Sequence, residues 1–444
     1  MNTRRDFLRT AAASGAFFIA TSGKVFGAGA PSSRVRLAIV GCHAKGRGNR
    51  MMLAALEVPG VEIAYVCDVD ARARDYAAAQ VKAISGVEPK KEKDLRKVLE
   101  DKDLDGIISV TPDHWHAYSA VLAMRAGKSV YVEKPCCYCP EEGEILVKTW
   151  KETGKTLQVG TQRRASKTYA KSIEWLLGPE KPIGDLKFAK CLCSCSRASI
   201  GKGKITAVPE WLDWDLWQGP APRRKYKDNV VHYNWHWTRH WGTGETGNNA
   251  VHFCDIARWA LKVGFPKRVS SSSMTLFPKQ DDFEWPDVNN MSFEYEGGKQ
   301  IIFDISSRTP KRCPNDMQPG CIVYGDKGSI FFGLKDDVII WDEKGNELKN
   351  YPPADMKVGS LTNPTAALDV ANLANFVENI RAAKQGTFSP ADEGYISSQM
   401  PLLANIAAET HSVLDLDVKT GRPIGNAAAM KLWGREYERG WELK

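Results

Sequence analysis

The chain has 444 residues, 43% of them hydrophobic and 26% charged, which is enough for two cores and more than a single core usually holds. No low-complexity tract interrupts it, so a folded protein is expected, with disorder confined to the ends. The formal charge of +8 is carried in part by the first thirty residues, and the slight basic excess that remains gives no ground for a nucleic-acid partner.

Those thirty residues are set apart. Thr3-Arg4-Arg5-Asp6-Phe7-Leu8 precedes an uncharged apolar run over residues 11–22 and then Gly27-Ala28-Gly29-Ala30. The order is that of a twin-arginine (Tat) export signal over residues 1–30, cleaved after Ala30. A membrane span would need ~20 apolar residues, about twice what the run offers; retention as an uncleaved anchor is the alternative. The expectation is a periplasmic protein exported by the Tat machinery, a route that carries proteins already folded.

From residue 34 the pattern is strand, turn, helix, repeated. Residues 35–40 read as a strand, 51–56 as a helix and 62–67 as a second strand, and this alternation implies a doubly wound parallel sheet. The turn Gly41-Cys42-His43-Ala44-Lys45-Gly46 places Gly41 at the tight turn and Gly46 where the helix must sit close to the strand. A pyrophosphate is expected over that helix N-terminus. His43 departs from the usual pattern, because it stands at the middle glycine position. Asp68, at the end of the second strand, is positioned to accept the ribose hydroxyls, and its charge would repel a 2′-phosphate, so NAD is expected rather than NADP.

Two further strands, 106–110 and 129–132, stop at Thr111-Pro112-Asp113-His114-Trp115-His116 and at Glu133-Lys134-Pro135. Both stops should open onto the cofactor, since ligands of such sheets bind at the carboxyl ends of the strands. Together with Gly160-Thr161-Gln162-Arg163-Arg164 after a third strand, they carry a resemblance: from about Val35 to the C-terminus the chain resembles the Gfo/Idh/MocA oxidoreductases. The resemblance implies that Thr111, Pro112, His116, Glu133, Lys134 and Gln162 join Gly41, His43, Gly46 and Asp68 around NAD(H), held tightly. The NAD-binding domain is expected over residues 34–157.

A second α+β domain, 158–444, follows for substrate binding and oligomerisation. A helix is expected over 167–177. Strands at 186–196, 269–276, 288–295, 299–306, 320–325, 329–333 and 338–341 imply a large open, mostly antiparallel sheet, with hairpins at Gly297-Gly298 and Gly325-Asp326-Lys327-Gly328. Helices over 365–384 and near 399–414 close the chain. Eleven cysteines include Cys136, Cys137 and Cys139 in one group and Cys191, Cys193 and Cys195 in another. Neither group has the Cys-x-x-Cys pairs of a zinc site, so free buried thiols are expected and no metal.

Between sheet and cofactor stands Trp235-His236-Trp237-Thr238-Arg239-His240-Trp241-Gly242-Thr243-Gly244-Glu245-Thr246-Gly247-Asn248-Asn249-Ala250-Val251-His252-Phe253-Cys254-Asp255. On a helix Asn248, His252 and Asp255 lie near one face. In the resembled family an Asp four residues before a His works with the lysine of Glu-Lys-Pro; here Lys134 and His252 match, and Asn248 replaces the Asp. An asparagine accepts no proton at neutral pH, so His252 is expected to take the hydroxyl proton while Lys134 polarises the oxygen. Arg163, Trp214, Asn248, His252 and Asp255 are expected to touch substrate together with Lys134, and the aromatic segment around Trp214 suits the C–H face of a sugar. The implied activity is NAD-dependent oxidation of a secondary hydroxyl in a sugar, sugar derivative or cyclic polyol. Export favours redox-neutral chemistry as the alternative, a glycoside hydrolase or epimerase that regenerates its own cofactor; a non-catalytic sugar-binding protein is the third reading. A homo-oligomer through the open sheet is expected.

Overall fold

The computed structural model describes residues 34–278, 281–309, 319–352 and 366–443; the export signal expected over 1–30 lies outside them, as does Cys313. The first strand, β1 (Val35–Val40), is apolar and almost wholly buried, as a strand covered on both faces must be. It is followed by α1 (Arg47–Leu56), β2 (Val61–Cys67), α2 (Ala71–Ser85), β3 (Lys90–Glu92), the short α3 (Leu95–Val98) and β4 (Gly106–Ser109). Then come α4 (Asp113–Arg125), β5 (Ser129–Val132), α5 (Pro140–Thr153) and β6 (Leu157–Val159). The six strands are all parallel in the order β3-β2-β1-β4-β5-β6. The order reverses between β1 and β4, which opens a crevice beyond their carboxyl ends.

The later strands form one nine-stranded sheet. After α6 (Lys167–Leu177) come β7 (Leu186–Ser194), α7 (Trp214–Gln218), α8 (Val251–Leu261), β8 (Arg268–Met274), β9 (Val288–Glu294) and β10 (Gln300–Ser306). They are followed by β11 (Gly320–Gly325), β12 (Gly328–Gly333), β13 (Val338–Asp342) and β14 (Glu347–Tyr351). The sheet order is β14-β13-β12-β11-β7-β10-β9-β8-β15, where β15 is Leu414–Asp415. Both expected hairpins are present, β9 with β10 and β11 with β12. The β7–β10 pair is parallel, because the chain returns to β7 only after a long excursion through the site segment. Strand β14 escapes a pattern search since Glu-Leu-Lys-Asn-Tyr is almost fully exposed at the sheet edge.

Two late helices join the sheets, α9 (Ala366–Arg381) and α10 (Ala391–Glu409). The second starts eight residues earlier than the sequence suggests. Pro401 lies inside it and reads as a breaker, whereas the true start follows Pro390, with Asp392 and Glu393 in the first turn complementing the helix dipole. The inner face of the nine-stranded sheet packs Phe293, Phe303 and Phe332 with Phe253 of α8 and Leu403 of α10. Helix α9 closes the other core, where Phe376 meets the edge of Tyr131 on β5. The ten described cysteines are unbridged and buried.

Both sheets belong to one unit, Val35–Lys444, and a buried ion pair fastens α9 to the first sheet. Arg47 donates to both oxygens of Asp369, at 2.6 and 2.7 Å, with the Asp369 side chain only 2% exposed. Removing Asp369 takes the partner from both terminal nitrogens of Arg47 and leaves the guanidinium with Glu133 alone. Asp369→Ala is therefore expected to destabilise the chain by about 3 kcal/mol, read as a lower urea midpoint.

Candidate active site

The site is built on the loop after β1. Gly41 has φ +81°, and a Cβ there would stand 2.5 Å from the Val110 carbonyl oxygen. The loop closes on itself where Gly46 N–H donates to His43 O at 2.9 Å. Gly48, inside the first turn of α1, is the residue that lets helix and strand meet: its Cβ would fall 1.8 Å from the Gly41 carbonyl oxygen. The sequence reading gave that role to Gly46, whose Cβ would meet nothing closer than 3.3 Å. With no side chain capping α1, its first N–H groups stay available to an anion. Asp68 then fixes the loop, accepting from Cys42 N–H at 2.7 Å and Asp70 N–H at 3.0 Å. Burial raises its pKa.

A cleft of about 600 Å³ runs from this loop toward the second domain. Of the residues expected at the cofactor, Gly41, His43, Gly46 and Asp68 line it, and so do Thr111, Pro112, His116, Glu133 and Lys134. His116 ties two strand ends together, its ring nitrogens facing the carbonyls of Pro135 at 2.6 Å and Thr111 at 2.7 Å. Glu133 accepts from Arg47 at 3.0 Å. An uncapped helix start, a glycine cradle and an acid at the end of β2 suit a dinucleotide.

Deeper in the cleft Lys134 is held by one residue of the second domain. Its Nζ donates to the Asn248 backbone carbonyl at 2.5 Å and to Asn248 Oδ1 at 3.0 Å. Asn248 Nδ2 in turn donates to Glu245 at 3.3 Å, and Asn249 Nδ2 donates to the same oxygen. Glu245 is buried against Arg197, which donates to it through Nε at 2.9 Å and Nη2 at 3.0 Å. Arg197 also donates to the Tyr233 hydroxyl at 2.9 Å. The result is one polar chain, Lys134-Asn248-Glu245-Arg197-Tyr233, with every member but Glu245 on the cleft wall. Burial lowers the pKa of Lys134. In Arg197 burial opposes the charge and Glu245 more than offsets it.

Five expected residues are placed elsewhere. Asn248 lies on a π-helical turn, Thr246–Ala250, and lines the cleft, whereas His252, on α8, does not. His252 is 2% exposed, neither ring nitrogen has a hydrogen-bond partner, and burial together with the charges of Lys134, Arg163 and Arg47 drives its pKa well down. Asp255 is consumed by Arg164, at 2.9 and 3.0 Å. Arg163 and Gln162 are buried on the turn after β6 and do not line the cleft. Trp214 sits in an aromatic cluster with Trp217, Trp235 and Trp241, its indole N–H given to the Arg224 carbonyl; Trp217 and Trp235 are the rings that reach the cleft. Arg197, Glu245, Tyr233 and His236 were not singled out from sequence. Glu245 and His236 carried a signal, since both sit in the marked segment 235–255, Glu245 three residues before Asn248. His236, stacked 3.6 Å from Trp235, has its pKa pushed down to about 3 by burial.

Residues 35–161 match the profile of the oxidoreductase family, NAD-binding Rossmann fold, and residues 217–331 match the GFO/IDH/MocA C-terminal domain. A glycosyl hydrolase family 109 protein of Saccharopolyspora erythraea is 36% identical over 172 residues, 34% of this chain and 37% of that protein. The scyllo-inositol 2-dehydrogenase (NAD(+)) of Bacillus subtilis is 36% identical over 137 residues, 31% of this chain and 38% of that protein. The chain thus spans well under half the length of these curated relatives. Two solved structures share the fold. An oxidoreductase domain protein from Kribbella flavida has TM-score 0.66 at 17% identity, covering 86% of this chain and 98% of its own. A levoglucosan dehydrogenase in complex with NADH has TM-score 0.64 at 16% identity, covering 86% and 99%.

The glycine geometry sets an expectation for binding. Gly48→Ala should abolish NAD+ binding measured by calorimetry, because backbone must move to admit the methyl group, while Gly46→Ala should weaken it by less than about tenfold, since a contact near 3.3 Å is relieved by small shifts.

Proposed function

Because the chain belongs to the Gfo/Idh/MocA oxidoreductase family, we propose that it is an NAD(H)-dependent oxidoreductase acting on a secondary hydroxyl of a sugar, sugar derivative or cyclic polyol. The observation that carries this reading is the placement of Lys134 Nζ on the wall of the cleft that begins at the glycine loop, pinned to Asn248. Bound NAD+ supplies a hydride acceptor. The chain has to supply a base for the hydroxyl proton and hold the carbinol carbon in place.

Lys134 is suited to be that base. A neutral amine has two N–H donors, and Asn248 takes both, which leaves the lone pair for a hydroxyl proton. Burial favours the neutral form. Asn248 keeps the amine oriented and is itself kept from rotating by Glu245. This assigns to Lys134 the proton that the sequence reading gave to His252, which lies off the cleft. Trp217 and Trp235 offer apolar faces for the C–H side of a ring, and Arg197 and Tyr233 face its hydroxyls.

A second reading is an NAD-dependent glycoside hydrolase or epimerase with no net redox change. It is favoured by the family 109 relative and by the proposed Tat export to the periplasm, itself supported by Arg4-Arg5 and the apolar run after them. The outer face of the nine-stranded sheet, with Ile302 and Met274 exposed, supports a homo-oligomer.

Incubating the purified chain and NAD+ with a panel of polyols and glycosides tests the assignment. Growth of absorbance at 340 nm with a polyol fits oxidation, release of an aglycone without NADH fits the second reading, and silence across the panel with NAD+ bound removes both. Lys134→Met should lower turnover about a thousandfold with NAD+ still bound, and His252→Gln by less than about tenfold; the reverse ranking would return the base to His252. For the wild type, kcat/KM for oxidation should rise with pH through a pKa below the ordinary lysine value, because the amine must lose its proton to act, and Lys134→Met should lose that limb.

A further inference from the structure

The segment that follows β7 supplies a ring that rests on the glycine loop. His43 stands where a glycine is usual, and its imidazole stacks on His232 of the second domain with centroids 4.3 Å apart and planes at 27°. His232 Nε2 is 2.8 Å from Asp70 Oδ2, and that carboxylate is 1% exposed. The same rim is held at four more points. Ala71 N–H donates to the Trp211 carbonyl at 2.9 Å, and Asp213 N–H donates to Val69 O at 3.1 Å. The Arg72 guanidinium lies 3.4 Å above the Trp211 ring, and Lys93 Nζ bonds Asp213 at 2.8 Å. Both His43 and His232 line the cleft beside Asp68.

We propose that residues 209–236 complete the dinucleotide site as a strap, fastened to the glycine loop by the His43–His232 stack, which makes a bound dinucleotide a slowly exchanging group. The inference rests on the NAD-binding reading of the first domain and adds to it two residues and a kinetic property. An ordinary glycine at 43 would remove the ring contact that joins His232 to the glycine loop, so the fingerprint departure and the strap are one device. The Asp70 bond holds the His232 ring against the loop, and Arg72, which also bonds both oxygens of Asp70, keeps that carboxylate in place. Arg72 and Trp211 hold the strap down independently, so losing one histidine should speed release without detaching the segment.

The test uses the full chain loaded with NAD+, passed through a desalting column and mixed with excess deuterium-labelled NAD+, with the bound nucleotide read by mass spectrometry over time. In the wild type exchange should take minutes or longer. His43→Gly and His232→Ala should each speed it at least tenfold, with unchanged circular dichroism. His232→Phe, which keeps a ring but loses the Asp70 bond, should exchange more slowly than His232→Ala. Wild-type exchange complete within the mixing time, or a His43→Gly rate equal to the wild type, overturns the strap while leaving NAD binding intact. A His232→Phe rate no slower than that of His232→Ala overturns the stack as the fastening. A wild type that carries neither labelled nor unlabelled NAD+ in the presence of the excess overturns the nucleotide reading, and the strap with it.

Discussion

The arrangement depends on one guanidinium. Arg47 leaves the first turn of the nucleotide-facing helix, spends its Nε on Glu133 at 3.0 Å and its two terminal nitrogens on Asp369 at 2.6 and 2.7 Å. One planar fork therefore joins the glycine loop, the strand end that carries Lys134 and a helix from the last eighty residues of the chain. A lysine could not replace it, having a point charge and no fixed fork. Glu133 has little freedom of its own, since a Cβ on Gly160 would already stand 3.0 Å from its carboxyl group. Lys134 is thus aimed by a neighbour that is clamped from both sides.

From that fixed point the polar chain through Asn248, Glu245 and Arg197 follows. Glu245 is nearly inaccessible and is satisfied by Arg197, Asn248 and Asn249 together. Buried and bonded around one carboxylate, such a network holds its members in a single geometry. The π-helical turn at Thr246–Ala250 brings two successive asparagines toward the same carboxylate, and π-turns are common where a site demands an irregular helix. The backbone carbonyl of Asn248 is then free to accept from Lys134 as well.

Cofactor loop and polar chain face one another across a cleft whose two walls come from different sheets. Three members of the aromatic cluster of Trp214, Trp217, Trp235 and Trp241 belong to the strap, and Arg197 lies over Tyr233 and Trp237 beside it. Asp113 at the start of α4 accepts from both the N–H and the hydroxyl of Thr243, so the glycine-rich stretch before Glu245 is tied to the first domain at the floor of the cleft. Burial raises the pKa of Asp113, and Thr243 supplies the donors its carboxyl group needs. Holding the two walls at several points leaves the cleft geometry set before any ligand enters.

What the sequence determined by itself is whatever depends on local pattern. Strand-helix alternation after Val35, the tight turn at Gly41, the acid at the end of β2, the Glu-Lys-Pro stop and the two hairpins are short-range features, and each lies where the pattern puts it. Tertiary structure decided what depends on partners distant in the chain. Asp255 looked like a ligand-binding acid until Arg164 claimed it, and Trp214 looked like a sugar platform until its neighbours enclosed it. His252 was picked by its spacing from Asn248, and packing buried it away from the cleft. Arg197 and Tyr233 were invisible, because an arginine or tyrosine on a loop has no period to betray it. Charge pairing, helix irregularity and domain apposition arise only when segments a hundred residues apart meet, and no local spacing encodes which of two carboxylates an arginine will find first.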